Sequence, residues 1–413
     1  MILLDTTIHA KTIARQFRRS DFRDSSWGIT ADDKDEIIAD ALRVAATGFT
    51  TVSLRRNSIG GKPVYRHAAL CEALLIRHIS EGLRRITGVQ QSDRKSIVKS
   101  LIALTSEGVP FNILKFDIKS FYESVDTDAL IERLRRDPAF SRQSIGLIET
   151  FFAALQSQRI NGLPRGIGLS ATLSEYLLRA FDSAISNFPG VRFYSRYVDD
   201  GIILASDKVD ASQLLDFVKG LLPIGLELNR AKTKPYKFGS FLRSAGSTTE
   251  HSIKFLGYTL DISHITRTNG RLCRNVHVDI AHSKVAKIKR RICLSLLNFN
   301  NGGNFNDLHN RIKLLTSNYG FVDDSTGQQR YSGIKYNYGL IDPTNSPQLA
   351  ALDRFLINVV TSSHPNNRIR PNLTRVQRAR ILGFGFTSGF LANRFFTFDE
   401  VTLKNLIGCW SHA

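Results

Sequence analysis

An α+β fold, a sheet with its helices gathered on one face, follows from three features of the middle third of the chain. Phe111-Asn-Ile-Leu-Lys-Phe-Asp117 is an almost continuous apolar run that stops on an acid, as a buried strand does. Arg192-Phe-Tyr-Ser-Arg-Tyr-Val-Asp-Asp-Gly-Ile-Ile-Leu-Ala205 reads as two strands joined by a tight acidic turn. Between them, residues 128–136, 144–157 and 170–186 read as helices. Strand, helices and hairpin in that order predict helices packed on one face of the sheet.

The flanking elements read in the same way. Residues 1–50 mix helical signals with the basic Lys11, Arg15, Arg18, Arg19 and Arg23. Thr51-Val-Ser-Leu-Arg-Arg56 is strand-like and ends at the turn-forming Ser58-Ile-Gly-Gly-Lys-Pro63. Leu70, Leu74, Leu75, Ile79, Leu83 and Ile86 recur at helical spacing, and a second helix from Ser92 sets Ile97, Val98, Leu101 and Leu104 on its apolar side. Past residue 262, Val285, Ile288, Ile292 and Leu296 make one stripe of a helix whose other side carries Lys284, Lys287 and Arg291. Residues 298–306, rich in Gly and Asn, read as a loop, and Arg368, Arg370, Arg375, Arg378 and Arg380 make the final part arginine-rich.

Composition narrows the class. A chain of 413 residues predicts two or three structural units, and 42% hydrophobic with 23% charged residues is globular. Lys and Arg number 56 against 37 Asp and Glu, a net charge of +19. Such an excess points to a polyanion, nucleic acid or an anionic membrane. No run of about 18 apolar residues exists, which argues against the membrane. The N-terminus has no basic stretch leading into an apolar one, so no secretory signal is expected. Cys71, Cys273, Cys293 and Cys409 form no CxxC pair, which disfavours zinc and a disulfide framework and fits reduced thiols in the cytoplasm.

Tyr197-Val-Asp-Asp200 is the sharpest local feature. Adjacent carboxylates at the tip of an apolar hairpin repel each other where water is scarce, and a hard divalent cation such as Mg²⁺ is the usual remedy. Phe321-Val-Asp-Asp324 repeats the string but runs on into Ser-Thr-Gly-Gln-Gln, so it reads as a solvated turn. Asp117 brings a third carboxylate from a separate strand and completes a set for two metals, which sit about 3.5–4 Å apart in such sites. Gly162-Leu-Pro-Arg-Gly-Ile-Gly-Leu-Ser170 puts three glycines around a proline before a helix, a backbone able to approach a nucleotide or template closely. Gly225-Leu-Glu-Leu-Asn-Arg-Ala-Lys-Thr233 and His251-Ser-Ile-Lys-Phe-Leu-Gly-Tyr258 follow.

In this order, Asp117-Ile-Lys-Ser-Phe-Tyr122, Gly162-Leu-Pro-Arg-Gly166 with Ser170, Tyr197-Val-Asp-Asp200, Leu228-Asn-Arg-Ala-Lys-Thr233 and Phe255-Leu-Gly-Tyr258 resemble the palm motifs of reverse transcriptases over roughly residues 90–260. The resemblance implies a right-hand polymerase: an N-terminal extension and fingers over 1–105, a palm over 106–262 with a helical insertion around 128–160, and a helical thumb and basic C-terminal region over 263–413. It implies templated DNA synthesis from deoxynucleoside triphosphates with two Mg²⁺ ions, Mn²⁺ being an alternative. Asp117, Asp199 and Asp200 fall at the metal-binding catalytic positions. Tyr122 falls where an aromatic ring excludes a 2′-hydroxyl, with Phe121 in the core. Lys232 falls near the triphosphate, and Phe255, Leu256, Gly257 and Tyr258 at the hairpin that holds the primer end, where Phe255 suits core and contact equally. Arg165 and Gly166 stand where the family has Gln-Gly, and an arginine donates to a phosphate but accepts no hydrogen bond. Ala171 replaces the usual Pro after the motif serine. Arg94 and Lys95 are candidate triphosphate contacts of the fingers, and Lys284, Lys287 and Arg291 would track the duplex backbone.

The chain has no RNase H, integrase or zinc-endonuclease motif, nor the Asn-Ala-x-x-His and Val-Thr-Gly segments of retron enzymes. Its compact form resembles the bacterial defence-associated reverse transcriptases. Asp117-Ile-Lys-Ser-Phe-Tyr-Glu-Ser-Val-Asp126 and Tyr331-Ser-Gly-Ile-Lys-Tyr-Asn-Tyr338 resemble the smaller enzyme of the type 3 systems. That resemblance implies a structured non-coding RNA template, a DNA product, a partner that is a second reverse transcriptase in a homo- or hetero-oligomer, and a bacterial cytoplasmic location. Tyr331, Tyr336 and Tyr338 suit stacking on unpaired bases as well as core packing. Two other functions remain open at this point: a catalytically silent RNA-binding scaffold, which the intact acids oppose, and an RNA-dependent RNA polymerase, which Tyr122 opposes.

Overall fold

The computed structural model describes residues 6–22, 27–89, 92–239, 241, 248–322, 329–363 and 371–410. The chain divides into two compact units, residues 1–97 with 109–239 and residues 98–108 with 240–413. The Phe255–Tyr258 string thus falls in the second unit, since the division comes after residue 239. Asp323 and Asp324 of the second Val-Asp-Asp string, with Arg23, Arg368 and Arg370, lie outside the described residues.

The first unit opens with helices α1 (Ala10–Ala14) and α2 (Lys34–Thr47). Strands β1 (Leu54–Ile59) and β2 (Lys62–His67) pair as an antiparallel hairpin across Gly60-Gly61. Its return strand gives little sequence signal, because Pro63 breaks the pattern of a strand and the residues alternate weakly. Helix α3 (Leu70–Thr87) buries the expected stripe, Leu70, Leu74, Leu75, Ile79 and Leu83. Helix α4 (Arg94–Thr105) begins in this unit, and its residues from Val98 onward belong to the second.

Strand β3 (Phe111–Asp117) is followed by the short α5 (Phe121–Ser124), α6 (Thr127–Arg136), α7 (Arg142–Ser157) and α8 (Gly168–Ser186). The hairpin β4 (Val191–Tyr197) and β5 (Asp200–Ser206), helix α9 (Ala211–Gly220) and strand β6 (Lys234–Phe238) complete the unit. The sheet runs β4-β5-β3-β6 and is antiparallel throughout. Its two faces have different fates, as the period of two requires. Leu114 and Phe116 point into the helical layer, where the Phe116 ring meets Phe181 of α8 edge-on at 6.0 Å. Asp117 therefore stands on the opposite face, directly across from Asp200, with Lys115 and Ile202 paired beside them.

The second unit joins β7 (Thr249–Phe255), β8 (Tyr258–Ser263) and β11 (Val276–Ile280) into an antiparallel sheet in the order β11-β8-β7, with the small ribbon β9 (Thr266–Thr268) and β10 (Arg271–Cys273). Helix α10 (His282–Asn300) buries Val285, Ile292 and Leu296 as expected. It runs further than expected, through three residues of the segment read as a loop. There Asn298 is satisfied by Arg311, whose Nη1 donates to its Oδ1 at 2.7 Å, which removes the asparagine's reason to leave the helix.

Helix α11 (Phe305–Thr316) leads into β12 (Asn318–Val322), β13 (Gln329–Gly333) and the short α12 (Ile334–Tyr338). Then come α13 (Pro347–Val360), α14 (Arg375–Leu382), α15 (Phe386–Leu391), β14 (Phe395–Thr397) and α16 (Glu400–Gly408). The strands form a sheet in the order β13-β12-β14, with β14 parallel to β12. All four cysteines are free thiols. Among the described residues, no helix is long and apolar enough to cross a membrane.

Candidate active site

The site is built in the first unit, on the face of the four-stranded sheet opposite the helical layer. Cross-strand pairing puts Asp117 and Asp200 side by side, where opposed side chains have Cβ atoms about 4.5–5.5 Å apart. Asp199 sits in the two-residue turn between β4 and β5, and its carbonyl accepts from the Ile118 N–H at 2.9 Å, which ties the turn to the end of β3. Asp117 is 3% exposed, and its Oδ2 accepts from the Lys232 ammonium at 2.9 Å. Lys232 is delivered by Asn229. The Asn229 N–H donates to the Asp117 carbonyl at 2.7 Å, and its side-chain oxygen and carbonyl close the turn through Ala231 and Lys232.

Burial lifts the Asp199 and Asp200 carboxyls above the ordinary range. The neighbouring charge of Asp117 adds to the lift of both, and Asp199 to that of Asp200. Lys232 counters both, and Lys115 counters Asp200. The hydrogen bond to Asp117 holds the Lys232 ammonium above its usual value. Among the described residues, no three carboxylate, imidazole or thiol side chains stand close enough to ligate one ion as they are placed. The chemistry of the donor set nevertheless fits a hard divalent cation. Two carboxylates face each other across neighbouring strands with a third in the adjoining turn, burial and mutual charge raise the pKa of two of them, and the cation already drawn in is an ammonium.

The turn is held from below. Val198 has φ 59°, a left-handed backbone that a β-branched residue adopts only under constraint. The constraint is Arg196, 6% exposed. Its Nη1 donates to the Val198 carbonyl at 2.8 Å and to Glu175 at 3.2 Å; its Nη2 donates to Glu175 and to Asp182, both at 2.7 Å; and its Nε donates to Asp182 at 2.9 Å. The Tyr194 hydroxyl adds a bond of 2.6 Å to Asp182. Burial alone would depress the guanidinium pKa, but Asp182 and Glu175 outweigh it and hold it above the usual arginine value.

Tyr122 is half-buried beside this site, its ring edge-on to the fully buried Phe121 at 5.5 Å. The Arg165 guanidinium lies 4.9 Å from the Tyr122 ring centroid and grips Glu123 with two bonds of 2.7 and 3.0 Å. Burial raises the Tyr122 phenol, and Asp199 is among the charges it feels. The close approaches made by the glycine-rich segment are to the chain's own backbone. Gly162 has φ 67°, and a Cβ there would stand 2.4 Å from the Tyr122 carbonyl oxygen; at Gly166, φ 92°, it would stand 2.4 Å from that of Tyr65. The Tyr65 N–H donates to the Arg165 carbonyl at 2.7 Å, so the β1–β2 hairpin, with Lys62 and Arg66, is stitched to the Pro164-Arg165-Gly166 turn.

The structure thus gathers Asp117, Asp199, Asp200, Lys232, Tyr122, Arg165 and Gly166 in the first unit, with Arg94 and Lys95 in the first turn of α4. The other expected residues lie in the second unit. Phe255 and Tyr258 are core residues, the Tyr258 hydroxyl donating to the Asn337 carbonyl at 3.0 Å, and Leu256-Gly257 is the β7–β8 turn. Lys284 and Lys287 are exposed on α10, whereas the Arg291 guanidinium stacks 5.2 Å from the Trp410 ring centroid. Several contributors were not anticipated: Lys115, Glu123, the Arg196 network and the basic β1–β2 hairpin. Lys115 was within reach of strand alternation, two residues before Asp117; the others depend on contacts between distant segments.

An antiparallel sheet carrying paired acids on a tight hairpin, with helices on one face, is the α+β arrangement expected from the sequence. More particularly, residues 77–260 match the reverse transcriptase (RNA-dependent DNA polymerase) family, so the chain carries a reverse-transcriptase-like domain. No curated protein matches. Among solved structures, telomerase from Candida tropicalis with a fragment of telomeric RNA is similar at 14% identity and TM-score 0.36, over 91% of this chain and 64% of that one. Apo telomerase from the same organism, truncated from its C-terminal domain, is similar at 16% identity and TM-score 0.35, over 56% of this chain and 59% of that one. The Sicinivirus RNA-dependent RNA polymerase is similar at 11% identity and TM-score 0.31, over 91% and 71%. The chain therefore spans about three fifths of the length of these telomerase chains.

Proposed function

We propose that the protein is an RNA-directed DNA polymerase that copies a structured non-coding RNA in bacterial antiphage defence. The observation that carries the polymerase reading is the pairing of Asp117 with Asp200 across β3 and β5, with Asp199 in the adjoining turn and Lys232 on Asp117. In this reading the three carboxylates hold divalent metal, Mg²⁺ or Mn²⁺. When bound, it supplies charge stabilisation for a primer 3′-hydroxyl and a leaving pyrophosphate in an in-line displacement. Lys232, paired with Asp117 at 2.9 Å, is free to exchange that carboxylate for a triphosphate, since its side chain is 57% exposed. Arg165 lays its guanidinium over Tyr122 and is fixed there by Glu123, so its role is to immobilise the ring.

The choice of DNA as product rests on that ring. Tyr122 follows Asp117 by five residues and is clamped between Phe121 and Arg165. A 2′-hydroxyl meeting the ring would be buried without a partner, at a cost of roughly 1–3 kcal/mol. The defence role rests on the sequence resemblance and carries with it a cytoplasmic setting and a second reverse transcriptase as partner. Primer extension on an RNA template with matched deoxy- and ribonucleotides tests the reading. Wild type should favour deoxynucleotides, Tyr122→Phe should keep that preference, and Tyr122→Ala should lose one to two decades of it. Equal use of both sugars by wild type would make Tyr122 a core residue and the enzyme an RNA polymerase, and no extension at all would leave a scaffold. Plaque counts with and without Asp199→Asn test the role in defence.

A further inference from the structure

The sheet β13-β12-β14 of the second unit leaves aromatic rings in solvent where a domain would normally bury them. Tyr331 is 46% exposed, Phe395 47% and Tyr336 59%. They form a row. Tyr331 and Phe395 come from the two edge strands, on the face defined by the pairs Gly320↔Tyr331 and Asn318↔Phe395, and their centroids lie 5.7 Å apart. Tyr336, from α12, continues the row 6.0 Å from Tyr331. Between the edge strands stands Gly320, where a Cβ would come within 3.2 Å of the Phe395 ring and 3.4 Å of the Tyr331 ring. The space above the central strand is filled by these two rings and by the Gln329 side chain, whose Nε2 would stand 2.7 Å from that Cβ. Tyr338, at the end of the same string, is buried against Tyr258 at 5.8 Å and belongs to the core.

We propose that this row is a binding site for the unpaired bases of a single nucleic-acid strand. Three contiguous exposed rings cost solubility unless something covers them. The charge around them selects the partner. The elements that carry the row, residues 318–322, 329–338 and 395–397, contain Arg330 and Lys335 and no Asp or Glu, in a chain of net charge +19; Arg330 alternates to the other face of its edge strand and the Lys335 ammonium lies 5.8 Å from the Phe390 centroid, so both border the row. An aromatic surface bordered by cations, on a chain of net charge +19, complements a polyanion that carries flat π faces. The rings are tilted by 63° and 51° to their neighbours, so each offers its own face and bases would be splayed apart. A duplex cannot present its bases that way, whereas a loop or single strand can. The site is independent of the acids of the first unit and does not rest on the polymerase reading.

The probes are fluorescent 15-mers of dT and U and an abasic 15-mer with the same phosphates, titrated onto the full chain at moderate and high salt. The dT and U probes should bind more tightly than the abasic one, and the advantage should survive high salt because stacking is not screened. Tyr336→Ala should weaken dT and U binding roughly fivefold to a hundredfold, the equivalent of one base–aromatic stack, and leave abasic binding unchanged. Tyr336→Phe should restore it. Tyr331→Ala and Phe395→Ala should do the same where their melting temperatures match wild type. For any that unfold, photocrosslinking of a bromodeoxyuridine 15-mer to the wild-type chain replaces them, with adducts expected in 331–336 or at 395. Equal affinity for abasic and base-bearing probes, adducts only elsewhere, or a self-association that Tyr336→Ala abolishes would each overturn the proposal. The ratio of dT to U affinity tells whether the strand is DNA or RNA.

Discussion

Replacing Arg196 with methionine tests how the acidic turn is held in place. Methionine keeps an unbranched apolar stem and removes all five guanidinium N–H donors. In the structure every one of those donors is used: two reach Glu175, two reach Asp182 and one reaches the Val198 carbonyl. The substitution leaves two carboxylates facing each other without a cation, and breaking a buried pair in this way costs about 3–5 kcal/mol. Glu175 keeps 16% side-chain exposure and Asp182 30%, so partial hydration puts the expected loss near the lower end, about 3 kcal/mol. A second effect is positional. The left-handed Val198 stores about 1–3 kcal/mol, which its carbonyl bond to Arg196 helps hold; once released, the turn relaxes and carries Asp199 with it. A displacement of about 1 Å is enough to lower a rate roughly a hundredfold. The assay is urea unfolding followed by primer extension at a temperature where both proteins are folded. The triple variant Arg196→Met, Glu175→Gln, Asp182→Asn removes the stranded charges, so it should recover most of the stability and little of the rate. A single variant with the wild-type urea midpoint, or a triple variant with the wild-type rate, would refute the reasoning.

Three further outcomes are expected. Asp199→Asn, which keeps shape and removes charge, should lower primer extension by at least ~10²-fold; Asp323→Asn, in the second Val-Asp-Asp string, should leave it unchanged, and equal losses would displace the assigned site. Gly162→Ala should destabilise the protein by about 2–3 kcal/mol, because the new Cβ meets the Tyr122 carbonyl at a backbone angle of φ 67°; a wild-type melting temperature would contradict this. Lys284→Gln with Lys287→Gln should flatten the salt dependence of RNA binding by up to about two phosphates without loss of stability. Adding Arg291→Gln should cost a further ~0.5–1 kcal/mol of stability, since that guanidinium rests on Trp410. A slope unchanged in the double variant would return both lysines to the solvated helix face.

Local order was legible where a residue's environment follows from its neighbours in the chain. The short apolar run of Phe111–Asp117 and the apolar flanks of Tyr197-Val-Asp-Asp200 specify strands, a tight turn and acids at their ends, because an apolar run of this length bounded by charged or turn residues is that of a buried strand. The helical stripes of α3 and α10 were legible for the corresponding reason, a period of 3.6. Their ends were less so. The overrun of α10 past Asn298 depends on Arg311, whose proximity is a tertiary fact.

By itself, then, the sequence determined which chemistry the protein carries: three carboxylates on two strands, a lysine after a turn, an aromatic five residues from the first acid, and a strong positive charge. Tertiary structure alone decided how those groups are held. It paired Asp117 with Asp200 across β3 and β5, placed Lys232 on Asp117 from 115 residues away, and clamped Tyr122 beneath an Arg165 fixed by Glu123. It also turned Arg196 into the anchor of the turn and sorted Tyr331 and Tyr336 to solvent and Tyr338 to the core. The physical reason is common to all of these. A side chain's type and local periodicity are written in consecutive residues, whereas a hydrogen-bond partner or a ring contact is supplied by whichever distant segment the packing of the sheet brings within reach.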